Sequence, residues 1–532
     1  MSTRRTRRAR AGPVSTRRAR RATVRRGTPR VRAAASAPAR RDAPLELSPQ
    51  EFRRAGHALV DRIAAFLASI RTRPVTPGED AETVRAALGA APLPARGSAP
   101  GPLLERAAAL VFEHSLLNGH PRFFGYITSP AAPIGALGDL LAAAVNPNCG
   151  GWELSPIASE IEAQSVRWIA ELLGYPVDCG GLLVSGGNMA NFVGFLAARR
   201  AAGGPELRTR GVAVGGALRV YASTETHTWI QKAADLFGLG TDAIRWIETG
   251  PDQAMDLRAL ERQIAADRAG GERPFLVVGT AGSVMTGAVD PLAELAALCR
   301  AEKLWFHVDG AYGGLAVAAP AAPADLRGLA LADSVAVDPH KWLYAPIEAG
   351  CALVRDPARL TDAFSYHPAY YSMNRDAGAP VNYYEYGPQN TRGFRALKVW
   401  LGILQAGRDG IARMIGDDIA LARALFEAAG AHPELEPGTL GLSIATFRFV
   451  PADLRATAAE SGPYLDRLNE ELLQRLKRGG EAFLTNAVVG GRYLLRACIV
   501  NFRTTLEDVR AVPGIVARVG REVDRELRTG RV

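Results

Sequence analysis

Cysteine is scarce in this 532-residue chain: five residues, at positions 149, 179, 299, 351 and 498, with no C-x-x-C pair. An odd, scattered set excludes a disulfide framework or a zinc site and fits a reducing cytosol. Also missing is any uninterrupted apolar run long enough to span a bilayer, so a cytoplasmic protein without a membrane partner is expected. Asp, Glu and Lys are absent from residues 1–41, which carry fifteen Arg. The net charge of +10 therefore belongs to that stretch, and residues 42–532 sum to −5. Nothing in this mildly acidic body supports a nucleic-acid-binding fold. What is present, 48% hydrophobic and 22% charged residues, is ordinary globular composition, long enough for two or three domains.

Residues 1–44 contain no Leu, Ile or Phe, cannot bury enough apolar surface to offset ordering entropy, and are predicted to be disordered. A polyanion-binding arm or an organellar transit peptide are alternatives to an unstructured extension, which is the preferred reading. Order is predicted from Leu47: Ser48 caps a helix, Pro49 suits its first position and Glu51 completes a capping box. Phe52, Leu59, Ile63, Phe66, Leu67 and Ile70 then form one apolar stripe. A second helix is expected over 103–117.

From about 180 to 356, seven apolar runs alternate with helical stretches: 182–185, 218–223, 243–247, 275–282, 304–311, 334–339 and 351–354. This alternation predicts an α/β domain with a mainly parallel sheet, whose ligands sit beyond the strand C-termini. Residues from about 401 predict a smaller α+β unit, with strands near 442–450, 481–489 and 493–500 and helices near 464–477 and 505–527.

Lys341, in Asp338-Pro339-His340-Lys341-Trp342, stands at the exit of a buried run. An ammonium there is costly to desolvate unless something pairs with it or uses it; a desolvated lysine amine condenses with an aldehyde. Asp309 ends the run before it, and a carboxylate for a pyridinium nitrogen plus a lysine for the aldehyde carbon are the two fixed points of a pyridoxal phosphate site. Upstream, Ser185-Gly186-Gly187-Asn188 leads from a strand into an apolar helix, the arrangement of a phosphate cradle.

His307-Val-Asp-Gly-Ala-Tyr312 followed by Asp338-Pro-His-Lys-Trp342 resembles the group II pyridoxal-phosphate decarboxylases, the family of the aromatic-amino-acid, tyrosine, histidine and glutamate decarboxylases. The likeness runs from about residue 47 to the C-terminus. It implies a large domain of the pyridoxal-phosphate transferase-like fold type I at 118–400, with a seven-stranded sheet. Around it would lie an N-terminal helical dimerisation segment at 45–117 and a small C-terminal domain at 401–532, in a homodimer whose active site is shared between subunits. By the same resemblance Gly187 and Asn188 contact the phosphate, and His227 stacks on the ring and orients the substrate carboxylate. Thr280 lines the cofactor edge, Ala311 lies against the face opposite His227, and His340 supports the phosphate end or the aldimine, with a histidine that simply caps the strand as the alternative. Tyr370, in a segment similar to the family's catalytic loop, delivers the proton that completes the amine; members with Phe there tend to make aldehydes. Asp338 stands where animal members usually carry Asn; a carboxylate beside a phosphate is unfavourable, so it is expected to face another donor and receives no cofactor role.

For the substrate pocket, His120-Pro-Arg-Phe-Phe-Gly-Tyr126-Ile127-Thr128 resembles the family's H-P-x-F-F-x-Y segment. Asn148 and Gly150, ahead of a retained Trp152, make the pocket more polar and roomier than the aromatic pattern. The expected activity is decarboxylation of an L-amino acid, aromatic first, with an aliphatic or acidic side chain open. Oxidative decarboxylation to an aldehyde is the alternative enzyme reading, and a polyanion-binding protein acting through the arginine tail is the non-enzyme one.

Overall fold

The computed structural model describes residues 43–366 and 380–530. Two compact units divide the chain, the first ending at Arg54 and the second beginning at Ala55. The expected capping box forms in the first: the Glu51 N–H donates to Ser48 Oγ (3.3 Å) and the Glu51 carboxylate accepts from Ser48 N–H (3.1 Å). Helix α1 (Pro49–Ser69) starts there, and α2 (Ala81–Leu88) and α3 (Pro100–Glu113) follow. Of α1's apolar stripe, Phe66 stacks on Phe112 (4.3 Å), yet no residue of the helix is buried.

Two helices, α4 (Pro133–Val145) and α5 (Pro156–Leu173), lead into strand β1 (Gly180–Val184). The alternating stretch then gives α6 (Gly187–Arg210), β2 (Leu218–Ser223), α7 (Trp229–Leu236), β3 (Ile244–Ile247), α8 (Leu257–Ala269) and β4 (Arg273–Thr280). It continues with α9 (Leu292–Glu302), β5 (Trp305–Asp309), β6 (Ser334–Val337), the single turn α10 (Pro339–Trp342) and β7 (Gly350–Val354). All seven predicted runs are strands, joined in one sheet of order β1-β7-β6-β5-β4-β2-β3. From β3 to β6 neighbours are parallel, while β7 is antiparallel to both β6 and β1. The β6–β7 link contains only α10 and a short loop, and a parallel return needs a longer crossover. Val277, Phe306, Val308, Val335 and Leu353 are buried in the sheet, as strands covered on both faces require.

Helix α11 (Ala358–Phe364) precedes α12 (Ala396–Ala431), which runs through residue 400 and changes direction at Gly407 (φ 65°). The C-terminal unit holds β8 (Leu435–Gly441), β9 (Ile444–Phe449), α13 (Gly462–Gly479), β10 (Thr485–Val489), β11 (Arg492–Cys498) and α14 (Leu506–Arg528). Its strands form an antiparallel sheet of order β10-β11-β9-β8. Strand β8 was not foreseen. Pro437, Gly438 and Gly441 suppress its pattern, and they are tolerated because it is an edge strand with an irregular register between Pro437 and Leu440.

Candidate active site

The C-terminal ends of the parallel strands open onto one cavity of about 460 Å³. It gathers Gly187, Asn188, His227, Thr280, Asp309, Ala311, His340 and Lys341 from five separate connections. Each side chain arrives there because a strand ends: Thr280 closes β4, Asp309 closes β5, and Lys341 sits on the turn that caps β6.

Gly186 takes φ 124°, ψ 178°, a conformation open essentially to glycine alone, which lets β1 turn sharply into α6. A Cβ at Gly187 would lie 2.8 Å from Asp338 Oδ2 and 2.9 Å from the Ala311 methyl, so bare backbone forms this wall. The free amides of the α6 N-terminus and its positive dipole end suit a phosphate. Glutamate 162 on α5 fixes the strand that delivers this loop. Its carboxylate accepts from Leu183 N–H (2.8 Å) and from both terminal nitrogens of the buried Arg392 (2.5 and 3.1 Å).

Asp309 is buried, with Oδ2 accepting the Trp229 indole N–H (2.7 Å) and Oδ1 the Ala311 amide (3.1 Å). Those bonds orient the carboxylate while leaving lone pairs for a cationic ring N–H. His307, two residues earlier, is buried between Asn191 Oδ1 and Ser334 Oγ, both 2.7 Å away. Burial pulls its pKa down to about 4, so it is a neutral strut between α6 and β6. Thr280 is tied through its amide to Asp290 (2.7 Å).

Lys341 Nζ lies 2.9 Å from Asp338 Oδ2, and His340 Nε2 lies 3.7 Å from the same oxygen. The donor expected for Asp338 is therefore the lysine itself. Next to Lys341, the fully buried Trp342 stacks on Tyr312 (4.8 Å) and donates its indole N–H to Asp418 (3.1 Å), anchoring the turn from behind. Burial pulls both His340 and His227 below the ordinary imidazole range, outweighing Asp338 beside the first and Asp309 near the second. Glu225 also lines the cavity; burial raises its pKa, and its Oε2 has no hydrogen-bond partner among the described residues.

Tyr370 lies outside the described residues. Tyr126, Ile127, Thr128, Asn148, Gly150 and Trp152 do not line the Lys341 cavity in this chain. Asn148 Oδ1 instead accepts from the Gly150 and Arg392 amides, and Trp152 donates to Glu160. A Cβ at Gly150 would fall 2.1 Å from the Asn390 carbonyl oxygen, so this glycine answers to packing. The 126–132 segment does run beside the lysine turn: Ser129 Oγ donates to the His340 carbonyl (2.8 Å) and the Ala132 amide to that of Tyr344 (2.8 Å).

Trp229, Asn191, Asp290 and Glu225 were missed from sequence. Trp229 stood in view, two residues after His227, but nothing local shows that its indole reaches a carboxylate eighty residues away.

The residues present fit a pyridoxal phosphate group: a glycine-lined helix N-terminus for the phosphate, an oriented buried carboxylate for the ring nitrogen, and a lysine in the same cavity. The family model for the pyridoxal-dependent decarboxylase conserved domain matches residues 103–436. An aromatic-L-amino-acid decarboxylase of Bacillus atrophaeus is 33% identical over 483 residues, covering 90% of this chain and 97% of its own. An L-2,4-diaminobutyrate decarboxylase of Rhizobium meliloti is 32% identical, over 82% of this chain and 85% of its own. The crystal structure of Oryza sativa TDC with PLP and tryptamine aligns with a TM-score of 0.83 at 29% identity, covering 91% of this chain and 99% of that one. A lysine and a carboxylate sharing a cavity would suit several chemistries, but with likeness of this extent they admit one assignment: the chain belongs to the pyridoxal-dependent decarboxylases, carboxy-lyases that act on amino acids with pyridoxal phosphate.

Proposed function

We propose that this protein removes the α-carboxylate of an aromatic L-amino acid and releases the amine. The observation that carries the reading is the meeting of Lys341, Asp309 and the Gly187 loop in one cavity. Pyridoxal phosphate, when bound, supplies an aldehyde for amines and a ring that takes up the electron pair left by departing CO2. Lys341 is the amine that tethers it, and Asp309, held by Trp229, keeps a proton on the ring nitrogen. Gly187 and Asn188 hold the phosphate, with His340 behind it; Thr280 and Ala311 shape the ring's slot. His227, at the open side, orients the substrate carboxylate, and Tyr370 delivers the proton to the α-carbon. Phe192, Val284 and Tyr312 give the cavity apolar wall for a large side chain.

The protein works as a homodimer in this reading. Leu137, Leu140, Leu141 and Val145, at helical spacing on α4, and Ile157 on α5 are exposed, apolar surface that a second subunit would cover. Tyr126, Ile127, Thr128, Asn148, Gly150 and Trp152 then complete the substrate pocket of the second subunit. Light scattering on the purified protein is expected to give twice the chain mass.

A second reading, a short diamino acid, draws on Glu225, whose Oε2 has no partner among the described residues and suits a side-chain ammonium, and on the diaminobutyrate relative. The test is an amino-acid panel assayed together for CO2, amine, aldehyde and H2O2. Amine formed one-for-one with CO2 from tyrosine, tryptophan or phenylalanine supports the first reading. Preference for 2,4-diaminobutyrate, abolished by Glu225→Gln, replaces it with the second. Aldehyde and H2O2 in place of amine would make the reaction oxidative.

A further inference from the structure

We propose that, with the cofactor bound, one proton is shared between the Asp338 carboxyl and the cofactor's phosphate, so that the phosphate's contribution to affinity falls as pH rises. This rests on the placement of the phosphate at the Gly187 loop. The Asp338 side chain is only 3% exposed, and its Oδ2 abuts the Gly187 backbone so closely that a Cβ there would stand 2.8 Å away. Its Oδ1 is buried with no hydrogen-bond partner among the described residues. A carboxylate and a phosphate dianion brought together in a desolvated corner cannot both stay fully ionised; paired carboxylates meet the same conflict by holding one proton between them.

The groups around Asp338 do not remove the conflict. From its own turn come Lys341 at 2.9 Å and His340 at 3.7 Å. Burial holds His340 below the ordinary imidazole range, hence neutral at pH 7, and the Lys341 nitrogen would be committed to the aldehyde carbon rather than to Asp338 once the cofactor is tethered. Cys351, on the neighbouring β7, is a neutral thiol because burial pushes its pKa well up. His227 and Asp309 face the cavity from the ends of β2 and β5 and supply no cation, the first being an imidazole that desolvation pulls below its ordinary range and the second an acid. Lys398 bears on His340 from α12, but its ammonium is paired with Asp139 at 3.2 Å.

The experiment compares the affinities of the whole protein for pyridoxal 5′-phosphate and for pyridoxal. Both offer the aldehyde, so their ratio isolates the phosphate. Above about pH 7 a free phosphate monoester is already a dianion, its second pKa being about 6. Uptake of one proton on binding therefore lowers the ratio roughly tenfold per pH unit. Asp338→Asn, which keeps the shape and supplies a donor, should give a flat ratio, at least roughly tenfold higher than the native one near pH 9. A flat native ratio, or a slope surviving in Asp338→Asn, overturns the shared proton. If that variant does not fold, calorimetry on the native protein in buffers of different ionisation enthalpy reads the proton directly. Uptake of about one proton with pyridoxal phosphate and none with pyridoxal supports the inference; equal uptake for both overturns it. Absence of any preference for the phosphorylated form, at every pH, would instead overturn the phosphate placement itself.

Discussion

At the scale of single residues the site depends on pairs that are strong because they are buried. Among the described residues Lys341 is the only lysine lining the cavity, and Lys341→Ala is expected to lower turnover by roughly 10³-fold or more. Borohydride treatment of the loaded protein should tag Lys341 in the native chain and nothing at that position in the variant, as peptide mass spectrometry would show. Trp229 acts through Asp309. Trp229→Phe deletes a hydrogen bond to a charged group, of a kind worth about 1.5–3 kcal/mol. The expected result is a kcat reduced roughly tenfold or more with little change in KM, accompanied by an altered absorption band of the bound cofactor. An unchanged spectrum would mean that the indole merely fills space. Lys341 and Asp309 were legible in the sequence because each stands at the end of an apolar run, where a charge has no packing reason to be. Trp229 was not, since a tryptophan in the first turn of a helix reads as core and only the fold turns its N–H toward Asp309.

At the scale of elements, the Gly187 loop is held by an ion pair that links three segments distant in sequence. Glu162 on α5 and Arg392 ahead of α12 are each about 1% exposed, and between them they bind both backbone groups of Leu183 in β1. Glu162→Gln leaves the guanidinium buried without its counter-charge, and breaking such a pair costs about 3–5 kcal/mol. Denaturant unfolding should show that loss, and cofactor affinity should fall with it because β1 carries the Gly187 loop. The strands of the large sheet were readable because, covered on both faces, they are almost wholly apolar. The antiparallel direction of β7 was not, because apolar runs carry no sign of polarity; the short β6–β7 link decides it. The edge strand β8 escaped for the opposite reason, its proline and glycines being allowed only where one side of the strand is unpaired.

At the scale of the whole molecule, Asp418 on α12 joins the lysine turn to the C-terminal unit. Its Oδ2 accepts from Trp342 Nε1 and from the Tyr344 hydroxyl (2.7 Å), and its Oδ1 accepts the Asn501 amide (3.2 Å). Burial outweighs these bonds and pushes its pKa up to about 7. The unfolded chain releases that proton near pH 3.9, so the folded state binds a proton the unfolded state lacks between these values. The associated stability is full below about pH 4 and is lost as pH rises through about 7. Asp290, raised to about 6, contributes in the same direction. Asp418→Asn should make the pH dependence of unfolding shallower between about pH 4 and pH 7, measured as the difference from the native protein. An identical slope would show that Asp418 is ionised throughout that range.

The amino-acid order by itself determined the seven runs of the sheet, the charge-bearing residues at their ends and the family those residues spell, because burial and strand ends leave marks over a few neighbouring positions. Only the tertiary structure decided that the lysine's neighbour in the cavity is Asp338, that an indole donates to a carboxylate eighty residues away, and that the 126–152 segments stand outside the cavity of their own chain. Those facts are set by side chains from separate strands converging at one end of a sheet, a long-range geometry that local sequence patterns do not encode.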